Sequence, residues 1–162
     1  MQPQGEQAIA NAQAHLATIR NWMFRKDHIQ ECDGEECELT WEEIFAGLDR
    51  WPPANDDITE ARQEYHDEDD LNESLDQDPL SVLVRSGWEP NPDEWSPAEY
   101  EILLTTGGPA LRIRGELDVL AEPISARLQY QDWGTPWTEL VTDASGYEAL
   151  RQYAKRFYYG KP

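Results

Sequence analysis

Residues 71–84 decide the fold, and they read LNESLDQDPLSVLV. Leu71 and Leu75 are four residues apart, which is the spacing of one face of a helix. After Asp78-Pro79 the period changes to the alternation that is typical of a strand, whose apolar face would be formed by Leu80, Val82 and Val84. A change of period at a proline predicts a boundary, with a helical region over residues 1–78 and a sheet region over residues 79–162.

Upstream of this boundary the apolar pattern is helical. Residues 9, 12, 16, 19 and 23 are apolar, and their steps of three and four predict a long first helix. Thr40-Trp41-Glu42-Glu43 fits a capping box and predicts the start of a second helix, which Pro52-Pro53 would end. A third helix would start at Asp56 or Asp57. The acidic run at residues 66–70 predicts a kink, an irregular stretch or two short helices there.

Downstream of the boundary, alternating apolar residues predict a small antiparallel sheet. Four strands are expected, over residues 80–84, 101–106, 111–117 and 124–130, with the last two joined as a hairpin. A helix from about Ala144, with Asp143 as its N-cap, would close the chain. The predicted fold class is therefore α+β: an acidic helical region, then about four antiparallel strands and one C-terminal helix.

The charge of this chain is large and localised. There are 33 acidic and 13 basic residues, a net charge of -20, and residues 31–78 hold 19 of the acids against Arg50 and Arg62. Repulsion among so many like charges opposes folding. Seven Trp, seven Tyr and three Phe supply a large buried apolar area that offsets it and argues against a disordered chain.

The sign of the charge limits the partners. Direct binding to nucleic acid needs basic side chains, and an anionic membrane would repel this surface. We therefore expect no nucleic acid and no membrane as partners, but a basic, nucleic-acid-binding protein. No apolar run reaches the roughly 20 residues of a membrane span, and the first apolar stretch lacks a signal peptide's basic leader. A cytoplasmic location is expected, as a monomer or a homodimer.

The acids between residues 56 and 78 are the main candidate site. On one continuous helix they would place a charge about every 3 Å of axis, close to the roughly 3.4 Å between phosphates of one DNA strand. A basic groove would attract either row. The alternative is a solvated face that serves only solubility. The predicted partner-binding residues are Asp56, Asp57, Glu60, Glu64, Asp67, Glu68, Asp69, Asp70, Glu73 and Asp76.

The two cysteines leave several possibilities open. Cys32 and Cys37 lie four and nine residues after His28, and His66 or an acid would be needed to complete a set of four zinc ligands. A disulfide across the Asp33-Gly34 turn is a second possibility. We favour the interpretation that both cysteines are free thiols, and we therefore predict neither a metal nor a cofactor.

The segment 130–139, YQDWGTPWTE, carries two tryptophans around a turn. Trp133 and Trp137 are candidate aromatic anchors for a partner, since tryptophan is enriched at binding hot spots. The competing interpretation is a turn whose rings cover the small core. No catalytic constellation is visible, because the three histidines fall in the helical half and Gly107-Gly108-Pro109 leads into a strand without a lysine. We expect no enzyme.

Four segments carry a resemblance to a known group of proteins: GGPA at 107–110, RIRGELD at 112–118, YQDWGTPWTE at 130–139 and FYYG at 157–160. Together they resemble a family of small uncharacterised proteins from phages, plasmids and other mobile elements. The resemblance covers residues 79–160 and implies a mobile-element setting, without any residue roles to carry over. By analogy with small acidic proteins from that setting, it implies an anti-CRISPR or anti-restriction inhibitor.

The functional expectation combines charge and resemblance. The protein would mimic DNA with its acidic surface, occupy the basic groove of a CRISPR effector and block target DNA binding. One alternative is an inhibitor of another DNA-binding enzyme, such as a restriction enzyme or a glycosylase. Another is a structural or adaptor protein of a mobile element that binds through its sheet.

Overall fold

The computed structural model describes residues 5–50, 58–88, 91 and 95–160. Within them the chain forms four helices, then five strands, then a last helix. The helices are α1 (Glu6–Glu31), α2 (Trp41–Gly47), α3 (Ile58–Tyr65), α4 (Glu68–Gln77) and α5 (Ala144–Ala154). The strands are β1 (Ser81–Ser86), β2 (Pro97–Thr105), β3 (Ala110–Glu116), β4 (Arg127–Gln131) and β5 (Thr138–Glu139). The predicted α+β class is confirmed.

The chain divides into two compact units. The helical unit runs from Ala17 to Gln77, and the sheet unit combines the chain up to Leu16 with the chain from Asp78 onward. Helix α1 therefore contributes residues to both units, whereas the sequence analysis assigns all of residues 1–78 to one helical region. Each unit has buried apolar side chains of its own, with Ile44 and Phe45 in the first and Ile102 and Leu128 in the second.

The sheet is an antiparallel meander of order β1-β2-β3-β4-β5. Ile113 of β3 lies opposite Ile102 of β2 and Leu128 of β4, so these three buried side chains form a row across the sheet. Helix α5 packs near β4 and buries Leu150 and Tyr153. The side chain of Asp143 accepts a hydrogen bond from the Gly146 N–H, which confirms Asp143 as the N-cap.

The strand count and several strand bounds differ from the prediction, most of all in the second strand, which starts at Pro97 instead of residue 101. The described residues form five strands, whereas the sequence predicts four. The additional strand, β5, has only two residues, which are too few to show an alternation of apolar and polar side chains. The fourth strand starts at Arg127 instead of residue 124, and Ile124 is exposed. The predicted strand face of Leu80, Val82 and Val84 is not fully covered: Leu80, just before β1, and Val84 are exposed, and Val82 is half-buried, since β1 lies at the edge of the sheet.

The helical unit packs around one apolar cluster. Its buried members are Ile44 and Phe45 of α2 with Ala61 and Tyr65 of α3. Gly47 is required at the close contact, since a Cβ on it would lie 2.3 Å from the Tyr65 ring. The absence of a side chain at Gly47 therefore lets α2 and α3 pack at a distance that any larger residue would prevent.

The predicted capping box is confirmed. The Thr40 hydroxyl accepts from the Glu43 N–H at 3.3 Å, and the Glu43 carboxylate accepts from the Thr40 N–H at 2.9 Å. The first helix buries Leu16, Ile19 and Met23 of its predicted stripe. Helix α2 ends at Gly47, with Leu48 as its C-cap, and so stops short of the predicted end at Pro52-Pro53. These two prolines and the predicted N-cap at Asp56 or Asp57 lie outside the described residues.

Of the three alternatives for the acidic run, two short helices are observed. Helix α3 ends at Tyr65, and α4 starts at Glu68. The Asp67 carboxylate accepts hydrogen bonds from the backbone N–H groups of Asp69 and Asp70, at 3.0 and 3.2 Å, and so caps α4. The run therefore ends one helix and starts the next.

Candidate metal centre and acidic surface

Some residues of the predicted acidic site are exposed to solvent, and others form ion pairs within the fold. Asp56 and Asp57 lie outside the described residues. Glu64 and Asp70 are half-buried and form ion pairs with Arg50 and Arg25, at 2.5 and 3.0 Å. The exposed members are Glu60, Asp67, Glu68, Asp69, Glu73 and Asp76.

Arg25 is the buried residue that organises this region, and the sequence analysis counts it only as a charge. It is 1% exposed and donates to the carbonyl oxygens of Tyr65 and Glu64, at 2.7 and 2.6 Å. It also donates to the Asp67 carbonyl at 3.2 Å and to the Asp70 carboxylate at 3.0 Å. Arg25 thus satisfies carbonyls at the end of α3 that the helix leaves unpaired.

A stripe of carboxylates runs along α4 on the side that faces away from the core. Leu71 and Leu75 are buried, and Asp69, Glu73 and Asp76 lie on the opposite face at about 100° per residue. We call these three residues the acidic stripe. Their spacings of four and three residues correspond to about 6 and 4.5 Å along the helix axis.

The expected charge density of one carboxylate per about 3 Å needs correction. It assumes one continuous helix and counts every acid, whereas the helix ends at Tyr65 and Glu64 and Asp70 are paired. The acidic stripe is therefore sparser than a row of phosphates. The helical unit remains strongly anionic, because residues 17–77 hold 19 acidic and five basic residues.

A second cluster in the helical unit contains metal-ligating side chains. His28, Cys32, Cys37 and His66 each offer one ligand atom, and these atoms all lie within 4.8 Å of one another. Both cysteines are free thiols. We call these four residues the Cys2His2 cluster. His66 is therefore the fourth member of the cluster, a place for which the sequence allows either this histidine or an acid.

Local structure explains how three of the four members meet. The Cys32 N–H donates to the His28 carbonyl at 2.9 Å, so both side chains lie on the same face of the last helical turn. The chain then reverses at Asp33-Gly34, where the Asp33 carboxylate accepts from the Glu35 N–H at 3.0 Å and Gly34 has a φ of +94°. Glycine adopts this left-handed conformation without strain, and the turn returns Cys37 to the end of α1.

His66 comes from the junction between α3 and α4. Its Nδ1 lies 2.7 Å from the Arg62 carbonyl oxygen, to which it donates a hydrogen bond. This leaves Nε2 as the nitrogen with a free lone pair, and Nε2 is buried without a hydrogen-bond partner. The His66 ring packs edge-on to His28, with 5.3 Å between the ring centroids.

Burial shifts the protonation of two cluster members. It raises the pKa of the Cys37 thiol, against a hydrogen bond from the Leu39 backbone N–H that favours the thiolate. It lowers the pKa of His28, and the neighbouring His66 lowers it further. Both groups are therefore disposed to be uncharged in the absence of a metal.

The tryptophan segment separates into one exposed and one packed ring. The Trp137 ring lies under the Arg112 guanidinium, 4.0 Å from its centroid, in a cation–π contact. Trp133 lies against Gly108, where a Cβ would be 1.6 Å from Nε1, yet its side chain is 76% exposed. Trp137 has a structural partner, and Trp133 is the one available as an anchor.

His15, which the sequence places in the helical half, belongs to a small polar group in the sheet unit. His15 Nε2 lies 3.0 Å from the Asp78 carboxylate, which also accepts a hydrogen bond from the Tyr153 hydroxyl at 2.5 Å. Burial, and then the charge of Asp78, raise the pKa of Tyr153 above its ordinary range. Burial and the neighbouring carboxylate keep Tyr153 neutral, and its hydroxyl donates to Asp78 just before the first strand.

Comparisons with known proteins identify no relative. No protein-family model, curated protein or solved structure matches the chain. Within the described ranges, no helix combines the length and the apolar character that a membrane span requires. The charge and the geometry of the acidic stripe and of the Cys2His2 cluster are therefore the features that bear on function.

Proposed function

We propose that this protein is a non-enzymatic inhibitor that binds a basic, nucleic-acid-binding protein through the acidic stripe of its helical unit. The observation that supports the proposal is the placement of Asp69, Glu73 and Asp76, whose exposed carboxylates share one face of α4. The opposite face of α4 carries the buried Leu71 and Leu75, so these acids face away from the apolar core.

Electrostatics favour a basic protein as the partner. The helical unit's excess of carboxylates repels phosphates and attracts a surface lined with lysine and arginine. Such surfaces are the grooves that bind DNA or RNA. An acidic ligand seated there excludes the nucleic acid by occupying the same charges.

The finer part of the proposal concerns the target. Given the resemblance to mobile-element proteins, we place the protein in the cytoplasm as an anti-defence inhibitor of the anti-CRISPR type, with a CRISPR effector as its target. A restriction enzyme or a glycosylase presents a similar basic groove, and it is the alternative target. Capture of the partner from a lysate of cells with these systems distinguishes the targets by mass spectrometry.

The test compares two variants of equal charge. Asp69→Asn/Glu73→Gln/Asp76→Asn removes the acidic stripe, and Glu6→Gln/Glu116→Gln/Glu122→Gln removes three exposed acids of the sheet unit. Glu64, Asp67 and Asp70 stay unchanged because they serve the fold. We expect the stripe variant to lose captured partner and the sheet variant to retain it.

Equal loss in the two variants would show that total charge, and no particular face, drives binding. Undiminished capture by the stripe variant would contradict the proposal. We expect both variants to retain their helices, because neither set of substitutions changes a buried side chain, and circular dichroism checks this.

A second candidate function is an adaptor that binds through the sheet unit. The exposed side chain of Trp133 favours this function, because exposing a large aromatic ring to water costs free energy and tryptophan is enriched at interfaces. Trp133→Ser distinguishes the two: an adaptor would lose its partner in this variant and keep it when the acidic stripe is neutralised. An inhibitor that uses the acidic stripe gives the reverse result.

A further inference from the structure

We propose that His28, Cys32, Cys37 and His66 bind one structural zinc ion. The proposal is independent of the function proposed above, since it concerns how the helical unit is held together. It replaces the sequence-based expectation of free thiols and no metal.

The distances fit a metal of this kind. A tetrahedral zinc with Zn–S bonds of about 2.3 Å and Zn–N bonds of about 2.0–2.1 Å separates its ligand atoms by about 3.3–3.8 Å. The Nε2 atom of His28 and the Sγ atom of Cys37 lie 3.4 Å apart, within this range. All four ligand atoms lie within 4.8 Å of one another, so small side-chain rotations complete the tetrahedron.

Unsatisfied buried polar atoms give a second, independent argument. His66 Nε2 is buried without a hydrogen-bond partner, and such an atom costs free energy unless something binds it. Its Nδ1 is held by the Arg62 carbonyl, which is the outer contact that orients a metal-binding histidine and leaves Nε2 for the metal. Free thiols and a Cys32–Cys37 disulfide would both leave this nitrogen unpaired.

The chemistry of the donors selects the metal and its role. Two sulfur and two nitrogen ligands in a tetrahedral arrangement favour zinc. Two thiolates balance the charge of Zn²⁺, so the bound site is neutral inside a strongly anionic unit. Four protein ligands fill the coordination sphere and leave no position for a substrate or a reactive water, which makes the site structural.

The location of the ligands explains what zinc would stabilise. His28 and Cys32 lie at the end of α1, Cys37 precedes α2, and His66 lies at the junction of α3 and α4. One ion therefore joins segments that are distant in sequence, next to the point where the acidic run starts α4. A metal that binds only the folded arrangement stabilises it by the free energy of binding.

Metal content of the full-length chain tests the proposal. Protein produced in zinc-supplemented medium and dialysed against metal-free buffer is analysed by elemental mass spectrometry. We expect about one zinc per chain, with both thiols protected from a thiol reagent until a chelator is added. The paired variants are Cys32→Ser, which removes a ligand, and Glu36→Gln, which neutralises an acid beside the cluster.

The expected result is loss of the zinc from Cys32→Ser, with affinity lowered at least about tenfold, and full retention by Glu36→Gln. Cobalt substitution of the wild-type chain adds a readout that does not depend on a variant folding. Tetrahedral Co²⁺ with two thiolates gives intense visible bands and a sulfur-to-metal charge-transfer band, whereas carboxylate-bound Co²⁺ gives neither.

Three results would overturn the proposal. The first is a zinc-free wild-type chain with two reactive thiols even after zinc is added back under reducing conditions. The second is a Cys32–Cys37 disulfide that persists in a mild reductant. The third is equal loss of zinc in Cys32→Ser and Glu36→Gln, which would indicate carboxylate binding at the anionic surface.

Discussion

At the scale of single residues, the helical unit is held by hydrogen bonds of polar side chains as well as by its apolar cluster. Arg25 pairs with carbonyls of α3 and with Asp70, and His66 pairs with the Arg62 carbonyl. Sequence patterns do not predict the contacts of Arg25, because its partners are about 40 residues away and lie on other helices, whereas the His66 contact spans only four residues. The available signal is that Arg25 lies three residues after the buried Trp22, on the same side of α1.

Arg25→Met tests the role of this buried guanidinium. The substitution leaves the Asp70 carboxylate and three backbone carbonyls without their donor. We expect the free energy of unfolding to fall by about 3 kcal/mol, as for other broken buried pairs. Urea denaturation followed by circular dichroism measures it.

Lys26→Gln is the control for that experiment, since it removes a positive charge from the next residue of the same helix. Its expected effect is within about 0.5 kcal/mol. Equal destabilisation by the two variants would indicate that net charge, and not the Arg25 hydrogen bonds, is responsible.

At the scale of helices and strands, the sequence predicts whatever is encoded locally. The Thr40 capping box, the Asp143 N-cap and the alternation of β3 are correct because neighbouring residues determine them. Strand β5 could not be predicted because two residues define no period, and the exposure of β1 depends on its place at the sheet edge. The Cys2His2 cluster is only half predictable: His28, Cys32 and Cys37 are local, and His66 is brought in by packing.

Thr40→Ala tests the capping box of α2. It removes the hydroxyl that accepts from the Glu43 N–H at the start of a seven-residue helix. The expected loss in the free energy of unfolding is about 1 kcal/mol.

Thr106→Ala is the matched control, because Thr106 is an exposed threonine that precedes the turn between β2 and β3. It should change the stability by less than about 0.5 kcal/mol. A Thr40→Ala chain that is as stable as Thr106→Ala would show that α2 is held by its packing alone.

At the scale of the whole molecule, a net charge of -20 makes the ionic strength of the buffer a component of stability. Paired acids such as Glu64 and Glu101 are offset by arginines, but most of the excess faces solvent. Increasing salt from 0.01 to 0.15 M shortens the Debye length from about 30 to about 8 Å and so weakens this repulsion.

We therefore expect the melting temperature to rise when sodium chloride is increased over that range, as calorimetry would measure. The stripe variant, with three fewer negative charges, should show a smaller rise. A melting temperature that falls with salt would mean that attractive ion pairs, and not the excess of carboxylates, dominate the electrostatics of the fold.

The claim that the acidic stripe competes with nucleic acid is tested most directly by displacement. A fluorescent DNA duplex bound to the captured partner is titrated with the wild-type chain, the stripe variant and the sheet variant at low and high salt. The account predicts that the wild-type chain and the sheet variant displace the DNA at low salt. It also predicts that the stripe variant needs at least about tenfold more protein, as for a loss of about 1.4 kcal/mol. Binding to the partner without displacement of the DNA, or displacement that is equal for all three chains and insensitive to salt, would contradict it.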